Sequence, residues 1–283
     1  MTWRMRVRHR TGYSYDGEVV SSFNEARMTP LSDSTQTTLE SRVEISPPAS
    51  VFRYRDYWGT QVTAFDIHSP HSELVVTSTS VVETALRPRA LSSLASLGWG
   101  ELGTDQVRDQ FAEWLAFTPR TDPDGELSAL ARESAGTSAP ADAAIACNEA
   151  IRAAMEYRLG ATGVHTSGLQ AWQERKGVCQ DFAHVTLAML RSLGVPCRYV
   201  SGYLHPKSSA EIGETVAGES HAWVEWWDGE WVGYDPTNGR EVADQHVAVA
   251  RGRDYDDVAP LKGIYSGPKS SGLGVVVEVT RLA

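Results

Sequence analysis

Apolar and polar positions partly alternate through five short runs in the first 85 or so residues: TWRMRVRH, TLESRVEIS, VFRYRDYW, TQVTAFDIH and ELVVTSTSVVE. Such runs, rich in Val, Thr, Tyr and Phe, mark half-buried strands. Thr11-Gly12, Asp16-Gly17, Pro47-Pro48 and Trp58-Gly59 read as the turns between them. Strands with no helix among them predict a sandwich.

After Pro88 the period changes. Val107, Phe111, Trp114 and Leu115 fall at helical spacing in DQVRDQFAEWLAF, with Thr104 or Asp105 as its cap. SAGTSAPAD (134–142) reads as a small polar linker, and AAIACNEAIRAAMEYR (143–158) as a second helix. GVCQDFAHVTLAML (177–190) carries two apolar stripes, one through Phe182, Val185, Met189 and Leu193, the other through Ala183, Leu187 and Leu190. Two stripes predict a largely buried helix. Beyond it come a strand (GVPCRYVSGYL, 194–204), a long polar loop (207–220), a hairpin around Asp228-Gly229 and a last strand, LGVVVEVTRL. The expected class is α+β. An N-terminal antiparallel β-sandwich-like domain (1–88) precedes a helical segment and core (89–283) in which a central helix packs on an antiparallel sheet.

Cys179 sits at the first turn of the buried helix, after Gly177. Free N–H groups and the helix dipole favour a negative charge there, and so a reactive thiolate. A half-buried packing cysteine fits the same position. Cys147 and Cys197 lie within apolar elements and read as packing. A nucleophilic thiol needs a histidine oriented by a third group. His184 is five residues on, about 140° round the helix, and faces away. His221 and Asp235 lie on the two arms of the hairpin. A two-residue loop would set them on opposite faces. A three-residue loop of Trp227, Asp228 and Gly229 pairs Trp226 with Glu230 and His221 with Asp235. It also sorts Ala222, Val224, Trp226, Val232 and Tyr234 onto a buried face, and His221, Trp223, Glu225, Trp231 and Asp235 onto an active face. Cys179, His221 and Asp235 are thus expected as nucleophile, base and orienting acid. Gln180, Trp223 and Glu225 are assigned to the substrate cleft, Glu225 having a solvated-sheet alternative. The 207–220 loop reads as a lid or acceptor-side wall, or as a surface excursion.

The 283 residues and 41% hydrophobic content allow a sizeable core. Three cysteines make no disulfide framework and fit a reducing compartment. The start, MTWRMRVRHR, lacks the apolar stretch of a signal peptide, and no run suits a membrane helix. A cytoplasmic protein without membrane association is expected. A formal charge of −10 with no basic block argues against nucleic acid. With no CxxC pair or close Cys/His cluster, no metal and no cofactor are expected. His165, His205 and His246 read as ordinary.

GVCQDFAH, GVPCRYVSGYL, SHAWVEW and YDPTN resemble, in the same order, the Cys, strand, His and Asp motifs of the transglutaminase-like superfamily, whose core is papain-like. GRDYDDVAPLKGIYSG is similar to the bacterial branch that carries an N-terminal β domain. The resemblance implies a Cys179–His221–Asp235 triad and thiol-dependent acyl transfer on amide or peptide substrates. It further implies a peptide or protein amide partner, with a primary amine as acceptor in the transglutaminase case. Tyr157 matches the oxyanion side-chain donor. Gln173 has a spacing reminiscent of papain's glutamine, and Cys197 stands where a smaller residue is expected. Asp254, Tyr255 and Asp257 match a family stretch of underived role. A cysteine peptidase or amidase, and a non-catalytic binding module, are the alternatives.

Overall fold

The computed structural model describes residues 2–85, 96–207, 209–218 and 220–283. The first strand, Thr2–Val19, puts Trp3, Met5, Val7, His9 and Thr11 inward and Arg4, Arg6 and Arg8 outward. It runs unbroken through Thr11-Gly12 and Asp16-Gly17, which were expected to turn. Gly12 is paired on both sides, to Val75 and to Gly274, and two ladders of hydrogen bonds outweigh local turn preference.

Two antiparallel sheets form the N-terminal sandwich. The first has the order Thr215–Gly218, Ser270–Arg281, Thr2–Val19, His71–Ala85, Gln36–Ser46. The second has the order Leu261–Ser266, Ser21–Ala26, Gln61–Ile67, Val51–Arg55. Tyr15, Met28, Phe65, Ile67, Leu74 and Val76 fill part of the space between them. The expected boundary at residues 88 and 89 lies outside the described residues. Both sheets include a strand from the C-terminal end of the chain, so the sandwich is not built from the N-terminal part alone.

A third antiparallel sheet has the order Arg240–Glu241, Trp231–Asp235, Ser220–Trp227, Cys197–Leu204, His246–Gly252. The helix Cys179–Ser192 packs on it and is buried at every residue from 180 to 191. Several of its polar members are hydrogen-bonded, though Asp181 Oδ1 and His184 Nδ1 have no partner among the described residues. The Thr186 hydroxyl donates to the Phe182 carbonyl, and the Arg191 guanidinium donates to the Trp114, Cys197 and Arg253 carbonyls and to the Thr121 hydroxyl. Trp3, Met5, Val7, Val277 and Val279 of the first sheet join Leu187, Leu190, Val224 and Trp226 in one core. The sandwich and the helix-bearing sheet therefore share buried surface.

The segment expected as one helix from 104 to 117 is broken at Phe111 into Asp105–Gln110 and Ala112–Leu115. Phe111 departs from helical geometry and packs at a tilt on Trp227 and edge-on to Trp231, at 4.7 and 5.8 Å. The linker at 134–142 is a short turn between the helices Gly125–Ala135 and Pro140–Ala154, with Pro140 in a first turn where it loses no hydrogen bond. None of the described helices is long and apolar enough to cross a membrane.

Gly202 lies opposite His221 in the third sheet. A Cβ there would stand 2.1 Å from the Val247 carbonyl oxygen and 2.5 Å from the Trp223 ring. Gly202→Ala is expected to destabilise the fold by about 1–3 kcal/mol, as overpacking does. A urea midpoint unchanged from the parent protein would contradict this packing.

Candidate active site

The approach to Cys179 is set by short-range chemistry. Glu156–Tyr157 and Lys176–Gly177 pair as parallel strands, and the helix begins at Cys179. Val178 has no side-chain acceptor for the helix start, so Asp181 reaches back. Its Oδ2 accepts the Val178 N–H at 2.8 Å and the Thr162 hydroxyl. Burial pushes the Asp181 carboxyl up, against these hydrogen bonds. The close approach requires glycine at 177, where a Cβ would lie 2.6 Å from Asp181 Cβ. The thiol is half-buried, with its Sγ 3.9 Å from the Ser220 carbonyl oxygen.

The hairpin is closed by three residues, but not the three expected. Trp227 pairs with Trp231, so the loop is Asp228, Gly229 and Glu230, and Tyr234 pairs with Val224. Trp226 therefore does not face Glu230, nor His221 Asp235. The two indoles meet edge-on across the strands at 5.5 Å and both contact Phe111, which draws Trp231 into the ladder. Asp228 accepts the Leu97 N–H at 2.8 Å, and Gly229 takes φ 81°. The first strand gains Trp227 and the second loses Glu230, so each partner shifts by two residues and side-chain parity is kept. His221 and Asp235 share a face and meet diagonally, His221 Nε2 donating to Asp235 Oδ2 at 2.7 Å.

The Cys179 thiol lies near enough to the His221 ring to act on its charge. Burial disfavours a charged ring, but the hydrogen bond to Asp235 and the influence of the Asp235 and Cys179 groups outweigh it. The imidazole is raised to about 10. Asp235 is fully buried. Its Oδ2 also accepts the Asn238 Nδ2–H at 2.7 Å and the His246 Nε2–H at 3.3 Å. Its Oδ1 accepts the Thr237 and Asn238 backbone N–H groups, each at 3.1 Å. Burial alone would push the carboxyl up. Its hydrogen bonds to His221, His246 and Asn238, with the charge on His221, hold it far below the usual carboxylate range.

His246, expected to be ordinary, is thus part of the site. The Ala243 N–H donates to its Nδ1 at 3.1 Å, so Nε2 carries the proton given to Asp235. Burial pushes this ring below the usual histidine range, which keeps it neutral. His221, Asp235 and His246 place their ligand-type atoms within 4.8 Å of one another. The Asp235 oxygens accept from His221, His246, Asn238 and the backbone, and His246 Nδ1 accepts from the Ala243 N–H.

Cys179 and His221 open onto a cleft of about 580 Å³. Tyr157 and Gln180 line it, as do Leu159, Val164, Val178 and Tyr255. Trp223 and Glu225 do not. The expected active face is itself covered: Trp223 packs with Val200 and Ala248 and meets His246 edge-on at 5.2 Å. The Glu225 carboxylate is buried between Arg198 at 2.6 Å and Arg251 at 3.0 Å, and Arg251 also pairs with Asp33 at 2.9 Å. Both residues support the sheet from behind. Gln173 is exposed on the helix Gly168–Glu174 and is not among the cleft residues. His184 is wholly buried, as its helical position implied, and its Nε2 accepts the Tyr255 N–H at 3.2 Å. That bond gives the Asp254–Tyr255 stretch a role: it seats Tyr255 on the cleft wall. His205 is buried beside Trp3, and His165 is exposed. Part of the polar loop, Thr215–Gly218, is an edge strand that leads to Ser220 on the cleft wall.

Residues 5–83 match the bacterial transglutaminase-like N-terminal region, and residues 128–236 match the transglutaminase-like superfamily. An uncharacterized protein of Mycobacterium leprae is 52% identical over 99% of this chain and 100% of its own. An uncharacterized Mycobacterium tuberculosis protein is 33% identical over 98% of this chain and 93% of its own. A protein-glutamine gamma-glutamyltransferase of Pseudomonas aeruginosa is 33% identical over 31% of this chain and 14% of its own. A solved Cytophaga hutchinsonii protein, named as a candidate cysteine protease, shares the fold with TM-score 0.74 and 21% identity, over 100% of this chain and 93% of that one. The chain belongs to the transglutaminase-like superfamily, in the bacterial branch with an N-terminal β region.

Proposed function

We propose that the protein transfers acyl groups from amide or peptide substrates to an amine through a thioester on Cys179. The observation that carries this reading is that Cys179 and His221 line one cleft, with the His221 ring held by the buried Asp235 at 2.7 Å. The sulfur, as thiolate opposite the imidazolium, attacks the substrate carbonyl carbon and forms a C–S bond. The C–N bond breaks, and His221 gives its proton to the departing ammonia or amine. An incoming amine then attacks the thioester, His221 takes its proton, and the C–S bond breaks to return the thiolate. Asp235 stays ionised throughout and fixes the ring orientation.

The developing oxyanion has a donor in the Cys179 N–H, at a first turn where amides lack intrahelical acceptors. Tyr157, on the same cleft, is assigned as the second donor. The name of the Pseudomonas relative supports a glutaminyl side chain as acyl donor. The cleft presents apolar side chains at Val164, Val178, Val275 and Val277, which favour an amine carrying an apolar group over water. A free thiol of this kind works best where thiols stay reduced, and we place the reaction in the cytoplasm.

Iodoacetamide is expected to label Cys179 at neutral pH at least about tenfold faster than Cys147 or Cys197. Burial pushes those two thiols up to about 12 and about 11. His221→Ala should remove most of that advantage. Equal labelling of all three in the parent protein would count against an activated thiol. A blocked glutaminyl-glycine dipeptide, incubated with a primary amine, should gain the mass of the amine and lose ammonia, and Cys179→Ala should abolish this. Hydrolysis without incorporation would instead indicate a peptidase or amidase. No reaction of this or longer peptides would leave the binding-module reading.

A further inference from the structure

The strand Ser270–Arg281 is paired along one side with Thr2–Val19, through Met5 to Tyr15. On its other side, Thr215–Gly218 covers residues 277–280 and then stops, Gly218 lying opposite Val277. Beyond that point no strand among the described residues pairs with 270–276. The Ser270 N–H donates to the Tyr265 hydroxyl and the Gly272 carbonyl accepts the Ser270 hydroxyl; from Leu273 to Val276 the edge-facing N–H and C=O groups have no strand partner among the described residues. All seven residues are exposed, with Leu273 at 57%, Val275 at 50% and Val276 at 49%. Exposed edges are usually blunted by charge, proline or a covering element. This stretch, SSGLGVV, has no charged residue and no proline, and a Cβ at Gly274 would meet nothing within 4 Å.

The open edge ends at the candidate active site. Val275 and Val277 line the same cleft as Cys179 and His221, and so do Gly218 and Ser220. The strand Thr215–Gly218 of this sheet and the strand Ser220–Trp227 of the next are neighbours in sequence, Ser220 lying one residue before His221. Leu273, Val275 and Val277 share the strand's inner face, opposite Tyr13, Thr11 and His9. An extended chain continuing the line of Thr215–Gly218 past Gly218 would therefore meet bare backbone on one flank and the thiol cleft at its end.

We propose that the acyl-donor chain binds by adding a strand to the open edge at 270–276, so that the β sandwich is the substrate-docking part of the site. The assignment rests on the thiol reading of the cleft. It names the substrate class as an extended, unfolded peptide segment recognised chiefly through its backbone, with apolar side chains preferred against Leu273 and Val275. Main-chain pairing tolerates varied side chains, as strand addition does elsewhere. Seven residues of strand span about 23 Å, long enough to seat several residues of a peptide.

Amide hydrogen exchange in the full-length Cys179→Ala protein tests this without relying on turnover. The probe is a blocked octapeptide of alternating threonine and valine around a central glutamine. At saturation it should slow exchange of amides within 272–276 at least about tenfold, a loss of open states typical of newly paired backbone. The same peptide N-methylated at alternate amides should give no protection. Unchanged exchange at the edge, or equal protection by the methylated peptide, overturns the proposal. So does protection that needs no peptide and rises with protein concentration alongside a dimer in sedimentation, since the edge would then pair with a second copy. The blocked glutaminyl-glycine dipeptide, too short to reach the edge, separates the two claims in the parent protein. Dipeptide turnover with an unprotected edge removes the docking proposal alone. A protected edge with an inert Cys179 removes the acyl-transfer reading alone.

Discussion

A carboxylate taken wholly out of water costs several kcal/mol unless donors satisfy its lone pairs. Asp235 receives five: the rings of His221 and His246, the Asn238 amide, and two backbone N–H groups of the turn that follows it. That saturation keeps it charged and fixed, and a fixed charge 2.7 Å from one imidazole nitrogen determines which way the other faces. Everything proposed for Cys179 depends on that ring's being held and charged.

The surrounding structure explains why the carboxylate can be so dry. Trp223 packs behind His221 and His246. The Glu225, Arg198 and Arg251 ion pairs fill the sheet face beyond it. The N-terminal region closes that face, because Gln36 bonds the Ala248 backbone in both directions and Asp33 pairs with Arg251. The sandwich thus contributes twice, by its own residues behind the site and by the strand Ser270–Arg281 on the cleft wall. A domain that merely preceded the core would do neither.

The parts of this arrangement legible in the sequence are those set by short periods. Two apolar stripes marked the helix 179–192, and the alternation from Trp3 to Thr11 marked the first strand. Because strand side chains alternate with period two, His221 and Asp235 fall on one face even though the expected register was off by two residues. The register itself depends on Trp227 and Trp231 meeting Phe111, more than a hundred residues earlier, and no local pattern encodes that contact. Trp223 and Glu225 were misplaced for a related reason: alternation shows which face a residue takes, not whether a distant segment covers it. His246 looked ordinary because its bond to Asp235 joins different strands of the sheet. The YDPTN run did hold a usable signal, since an Asp two and three residues before free N–H groups bonds its own turn, and Asn238 adds a side-chain donor to it.

The central claim is that Asp235 keeps His221 protonated beside the thiol, and nitrogen-detected NMR titration of the His221 ring tests it most directly. A folded-state pKa raised above the ordinary value of about 6.5 means the charge is full below that value and is lost only as pH climbs through the raised one. The account predicts that the ring stays protonated from pH 6 to pH 8, titrating near 10, and that Asp235→Asn moves its titration downward. A ring that loses its proton near pH 6.5 in the parent protein, unmoved by Asp235→Asn, would contradict it.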